Sequence, residues 1–223
     1  MENGKRKIAI IGGTGALGSG LAIRWAQAGH EIIIGSRGAE KAETVAAEFA
    51  ERAGKPIQGL ENAAAAEAGD IVALTVPYAN HAATLDIIRP HVEGKIVIDI
   101  TVPLMPPKVR TVQLPAEGSA AKAAQMNLGE NVRVVSAFQN VAAAHLADPD
   151  HAIDCDVLVC GNDREARGTV IDLAGDAGMK AWHAGRIDNS AVAEAMTSTL
   201  IFINSHYKVD GAGLRITGMP GAE

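Results

Sequence analysis

This sequence predicts a doubly wound α/β fold on a largely parallel sheet, and three observations carry the prediction. Short β-rich runs alternate with longer Ala-rich stretches of helical period, the pattern of parallel strands joined by crossover helices. The runs Ile8–Ile11 and Ile32–Ile34 are unbroken apolar segments, as strands buried on both faces of a sheet require. A glycine-rich turn, Gly13-Thr14-Gly15-Ala16-Leu17-Gly18, stands between the first of these runs and a stretch of helical period. That context makes the motif informative, because the same string outside a βαβ unit is common. The fold class is therefore a Rossmann-type doubly wound parallel sheet with a small C-terminal α/β extension.

The elements follow in order. A first strand is expected at Lys7–Ile11, followed by a helix on which Leu17, Leu21, Ala22, Trp25 and Ala28 recur, ended by Gly29-His30. The second strand is Glu31–Gly35. The second helix runs from Lys41 to Arg52, with Val45, Ala46 and Phe49 on its inner face. A shorter run at Pro56–Gly59 is a further strand candidate, and strands follow at Ile71–Leu74, Lys95–Asp99 and Val132–Ser136. Thr101 to Pro115 holds four prolines and little periodicity, so it is expected as a surface loop. Gly118-Ser119 then opens an Ala-rich helix. A C-terminal unit reads as strand Asp156–Cys160, helix Arg164–Ala177, strand Met179–Trp182 and an apolar helix from Ser190 to Asn204. Asp188-Asn189-Ser190 supplies N-cap chemistry for that last helix. The division expected is a dinucleotide-binding domain over 1–136 and a small substrate or oligomerisation domain over 137–223.

Composition excludes several classes. The chain has 223 residues, 48% of them apolar and 21% charged, which is globular rather than disordered composition. A net charge of -6 and 3% aromatic residues argue against a nucleic-acid surface or a base-stacking platform. Cys155 and Cys160 are the two cysteines and match neither a disulfide framework nor a zinc pattern, so no metal site is expected. The basic start Lys5-Arg6-Lys7 leads into an apolar run that stops at Gly12-Gly13, too short for a signal sequence. No run approaches the ~18 residues of a membrane span, so a cytoplasmic protein with no membrane partner is expected.

The glycine turn points to a dinucleotide. Gly13 suits the tight turn, Gly15 lets a pyrophosphate approach the backbone, and Gly18 lets helix and strand pack closely. Unpaired N–H groups at the helix N-terminus then face the anion. The end of the second strand chooses between NAD and NADP. An NAD site places a carboxylate there, whereas this chain has Gly35-Ser36-Arg37, with Lys41 one helical turn further on. A hydroxyl, a guanidinium and an ammonium favour a 2′-phosphate, so NADP is the expected cofactor. Thr75-Val76-Pro77 and Thr101-Val102-Pro103 end two further strands, where ligands bind in open α/β sheets, and each valine offers an apolar wall to a nicotinamide. No catalytic acid–base set is assigned. His81 reads as a cleft group or a surface-helix histidine, and Asp99 as a base or a structural hydrogen-bonding group. Hydride exchange between two cofactors needs ring stacking in a dry site more than a proton donor.

A family resemblance stands on longer segments. Ile10 to Gly18, Gly35-Ser36-Arg37, Leu74-Thr75-Val76-Pro77, Val135-Ser136-Ala137-Phe138, the stretch from Asp154 to Gly161 and the tail from Tyr207 to Gly213 occur in matching order. Together the chain closely resembles the NADPH-dependent coenzyme F420 reductases, also called F420H2:NADP oxidoreductases. The resemblance implies hydride transfer between NADP(H) and the deazaflavin F420. It places Thr14–Leu17 at the pyrophosphate, Ser36, Arg37 and Lys41 at the 2′-phosphate, and Val76, Val102 and Ala143 near the nicotinamide. It also implies a homodimer or higher homo-oligomer; the apolar run Leu200–Ile203 suits either a subunit contact or core packing. Gln139 and Ala142 stand where the family often has histidine and Ser or Pro, and Gln139 retains a donor for a ring carbonyl. Lys108, Arg110 and Arg215 are candidate neighbours for the acidic tail of a deazaflavin. Reduction of another flat heterocycle, a pterin or flavin, and a non-catalytic NADP-binding redox sensor remain as alternatives.

Overall fold

The structure, a computed structural model, describes residues 4–218. Its elements in chain order are β1 (Lys7–Ile11), α1 (Ala16–Gln27), β2 (Glu31–Ser36), α2 (Ala39–Ala53), β3 (Ile57–Glu61), α3 (Asn62–Ala68), β4 (Ile71–Leu74) and α4 (His81–Ile88). There follow β5 (Ile96–Asp99), α5 (Ala120–Leu128), β6 (Arg133–Ser136), α6 (Ala143–Ala147), β7 (Asp156–Gly161), α7 (Arg164–Asp176), β8 (Lys180–His183) and α8 (Ser190–Tyr207). The strands lie in the order β3-β2-β1-β4-β5-β6-β7-β8. All neighbours are parallel except β6 and β7, which meet antiparallel through Val135–Gly161 and Ser136–Cys160.

The apolar strand runs are explained by burial on both faces. Alternate residues of β1 enter different cores, Ile8 and Ile10 on one side and Ala9 and Ile11 on the other, as the two-residue pleat requires. The first core holds Leu21, Trp25, Phe49, Phe138, Leu146 and Leu173. The second holds Ala65, Leu85, Ile88, Ala121 and Leu128. Trp25 is fully buried, meets Phe138 edge-on at 6.0 Å, and donates its indole N–H to Leu173 O at 2.8 Å. A single indole thus joins α1 to α7 and to the segment after β6.

Several expectations shift. The strand candidate at Pro56–Gly59 forms β3 over Ile57–Glu61. Three short helices, α3, α4 and α6, are additions to the sequence-based series; α3 spans seven residues and α6 five, too few turns to show a period. α8 begins at Ser190 as expected and runs on to Tyr207, but its expected N-cap is corrected. Asn189 takes a helical conformation and makes no side-chain cap. Its amide donates to Ala184 O, Asp188 pairs with Lys122 at 2.7 Å, and Ser190 Oγ bonds Ser119 Oγ at 2.7 Å. The 3-10 turn Ile187–Asn189 leads directly into α8, so Asn189 lacks the extended backbone that a capping residue takes.

Candidate cofactor cleft

Beyond the C-terminal ends of β1, β4 and β5 lies a cleft of about 680 Å³. The chain leaves β1 toward β2 on one side, while β4 flanks β1 on the other, so the cleft sits where the winding reverses, the usual ligand position in such sheets. Thr14, Gly15, Ala16, Leu17, Val76 and Val102 all line it, as do Tyr78, Thr101 and Leu104. Four glycine-turn residues and both valines are therefore brought together.

Within the turn the roles differ from expectation. The tight turn is made by Gly12, at φ +71°, where an added Cβ would lie 2.5 Å from Val76 Cγ1. Gly13 has ordinary φ; it packs beneath the turn, its N–H donating to Ile10 O at 3.2 Å. Gly18 permits the close approach expected of it, since a Cβ there would meet Gly13 Cα at 2.8 Å and Thr75 Oγ1 at 2.9 Å. Open space surrounds Gly15, with no atom within 4 Å of a Cβ at that position. Gly15 is the N-cap of α1, without a side-chain cap and with no acidic residue in the first helical turn. The N–H groups and the positive end of the helix dipole are thus left for an anion.

Gly12 N donates to Gly35 O at 3.1 Å, which sets the end of β2 beside the glycine turn. Ser36, the last residue of β2, is buried, while Arg37 and Lys41 are exposed. Neither cation has an ion-pair partner among the described residues, Glu40 included. These three residues, with Gly13 and Ala143, stand outside the cleft lining proper. Ala143 opens α6, which packs on α1. Arg24 of α1 fixes that contact by donating to Leu146 O, Asp148 O, His151 O and Ala177 O at 2.6–3.2 Å. Burial pulls the guanidinium below its usual pKa, against the opposing charges of Asp148 and Asp150.

Gln139 departs from its expected role. Phe138, buried with φ +72°, turns the chain after β6 so that the Gln139 side chain points back into the protein. Its amide N–H₂ is consumed by Asp99 O at 2.8 Å and Ser136 Oγ at 2.9 Å, leaving no donor for a ring carbonyl. Of the candidate tail neighbours, Lys108 and Arg110 are exposed and Arg215 is paired with Asp154 at 2.7 Å.

His81 and Asp99 are both buried and bonded to each other, Nε2 to Oδ2 at 2.7 Å. This excludes the surface-helix reading of His81. Burial lowers the His81 pKa, but the Asp99 hydrogen bond and charge, helped by Glu194, outweigh it and hold it above the usual value. Glu194, unassigned from sequence, is 1% exposed on α8 and accepts from Ala120 N and Ala121 N at 2.6 and 3.0 Å. Burial pushes its carboxyl up to about 7, against those two hydrogen bonds. A lone glutamate inside Ala193-Glu194-Ala195 was the available signal. Both cysteines are buried, and burial raises both thiols, Cys160 to about 11, which leaves no thiolate nucleophile near neutrality. Among the described residues no cluster of His, Cys, Asp or Glu could hold a metal, and no helix is long and apolar enough to cross a membrane.

The cleft fits a dinucleotide on its own features: a carboxylate-free helix N-terminus, open space over Gly15, and a buried Thr101 Oγ1 without a protein partner on the cleft wall. Fold and cleft define a nucleotide-dependent oxidoreductase of the doubly wound class. Residues 7–103 match the family described as NADP oxidoreductase, coenzyme F420-dependent. The F420-dependent NADP reductase of Methanocaldococcus jannaschii is 46% identical over 96% of this chain and 99% of that protein. The enzyme of the same name from Methanothermobacter thermautotrophicus is 42% identical over 97% of each. A crystal structure of an Arthrobacter sp. FB24 protein described as an F420-dependent NADP reductase superimposes with a TM-score of 0.79 at 26% identity, covering 96% of this chain and all of that one. The chain belongs to the family of F420-dependent NADP reductases.

Proposed function

We propose that this protein catalyses reversible hydride transfer between NADP(H) and coenzyme F420, with NADP lying across the cleft from the end of β2 to the valines of β4 and β5. The observation that carries this is the meeting, in a member of this family, of a carboxylate-free glycine turn with an Arg37 at the neighbouring strand end that has no ion-pair partner among the described residues. Thr14, Gly15, Ala16 and Leu17 hold the pyrophosphate through backbone N–H groups, with Gly13 shaping the floor beneath them. Ser36, Arg37 and Lys41 hold the 2′-phosphate. Val76 and Val102 wall the nicotinamide, and Ala143, at the start of the helix tied to α1, completes that end. Hydride exchange between nicotinamide C4 and deazaflavin C5 is the chemistry the two ligands supply. The protein's part is to orient both rings and exclude water.

Residues 137–223 form the substrate and oligomerisation unit and 1–136 the dinucleotide unit. The apolar groove between Val112, Leu114 and the outer face of α8 is the subunit contact of a homo-oligomer. Reducing, disulfide-free chemistry suits the cytoplasm. The test mixes purified protein with NADPH and oxidised F420 and follows deazaflavin absorbance, with NADH, a flavin and a pterin as controls. NADPH-selective loss of F420 absorbance is expected; tight NADPH binding without F420 turnover would overturn the assignment.

A further inference from the structure

One buried carboxylate joins both walls of the nicotinamide end. Asp99, fully buried at the last position of β5, receives His81 Nε2 on Oδ2 at 2.7 Å and Thr101 N on Oδ1 at 2.9 Å. Its main-chain oxygen receives Gln139 Nε2 at 2.8 Å. His81 begins α4, and its ring stacks on that of Tyr78 with centroids 6.1 Å apart. Tyr78 follows Val76-Pro77 directly, and Thr101 precedes Val102 directly; all but Gln139 and the His81–Asp99 pair itself line the cleft. The His81–Asp99 bond therefore spans from one Thr-Val-Pro wall to the other. A buried ionic pair stabilises no better than apolar residues of the same volume, so stability alone does not account for it.

We propose that His81 and Asp99 are positioning residues that set the separation of Val76 and Val102, and so the seat of the nicotinamide. This rests on the assignment of those valines to the nicotinamide. The pair touches no reacting atom and acts through the walls. Of the charged groups around it, Glu194 faces it from α8. The helices packed against α4 are α3 and α5; Glu67 of α3 is engaged with His91, and Lys122 of α5 with Asp188.

The test separates the two halves of the dinucleotide by titrating NADPH and 2′,5′-ADP against wild type, His81→Ala, His81→Gln and Val102→Ala. His81→Ala is expected to weaken NADPH about tenfold while 2′,5′-ADP stays within about twofold. His81→Gln, which keeps a donor for Asp99, should recover most of the loss. Equal weakening of both ligands would mean a merely structural role, and unchanged NADPH affinity would mean no role; either overturns the proposal. Val102→Ala tells which assignment failed. If it weakens NADPH and His81→Ala does not, the positioning role falls and the nicotinamide wall stands. If Val102→Ala leaves NADPH unchanged, the wall assignment falls and takes the positioning role with it.

Discussion

Arg37, just past β2, and Lys41, in the first turn of α2, place two positive charges, unpaired among the described residues, one strand from the glycine turn. An arginine stacked or forked onto a phosphate offers planar, bidentate hydrogen bonding that lysine does not, so Arg37 should carry most of the cofactor preference. Arg37→Ala is expected to weaken NADPH by at least about tenfold and to leave NADH nearly unchanged. Equal losses for the two in a direct binding titration would remove the 2′-phosphate assignment. At the same scale, the Gln139 amide shows how a polar side chain near a cleft can be committed elsewhere: both its N–H groups serve buried oxygens. An unmet carbonyl in the interior costs about 1–3 kcal/mol, more than an exposed side chain gains by reaching a ligand also served by water.

Among the elements, α8 is the least ordinary. Its buried side carries Ser190, Glu194 and Ser198 beside Ala193 and Leu200, while Val192 and Phe202 are about half exposed. Exposed apolar groups on a helix whose buried side is partly polar fit the proposed subunit contact. The neighbouring loop adds Val112 and Leu114 to the same exposed groove. Val192→Glu is expected to lower the mass seen by sedimentation toward that of one chain while changing Tm by only about 2 °C. A wild-type protein that already sediments as a single chain would overturn the subunit contact. By contrast α6, five residues long, depends for its place on α1, because Arg24 donates to five carbonyls, those of His145 and Leu146 within α6 and of Asp148, His151 and Ala177 beyond it.

For the whole molecule, the buried cluster of His81, Asp99 and Glu194 couples stability to pH. Glu194 titrates near 7 in the folded protein against an ordinary 4.5, and His81 lies above its ordinary 6.5. Both groups hold protons in the folded state at pH values where the unfolded chain has released them. Stability therefore falls as pH rises, from about 4.5 through about 7 for Glu194, and from 6.5 through the raised value of His81. The Glu194 contribution is on the order of 3 kcal/mol, which corresponds to a fall in Tm of several degrees between pH 5.5 and 8. Glu194→Gln should flatten that profile and lower Tm overall, because Ala120 N and Ala121 N each donate to a different carboxylate oxygen and the substitution turns one of those oxygens into an NH₂ donor. A wild-type Tm that stays level or climbs across this interval would contradict the buried ionisation.

The sequence alone was enough for what depends on near neighbours in the chain. Strands β1, β2 and β4 were readable as apolar runs between turn residues, and α1 and α2 as periods of helical length. The cofactor class was readable because the features that would meet its phosphates lie in one short turn and at one strand end, each a few residues long. The full-length resemblance extended this to the second ligand. Tertiary structure decided what depends on distant partners. Gly12, not Gly13, takes the left-handed turn, and Val76, from a distant strand end, stands where a Cβ would have to go. Asn189 fails to cap α8 because it ends a 3-10 turn, Ile187–Asn189, and so has helical rather than extended backbone angles. His81 finds Asp99 eighteen positions away, and Glu194 reaches Ala121 across seventy-three. Propensity and pattern act over a few residues, whereas the partner of a buried charge is chosen only when the folded chain has removed water as its alternative.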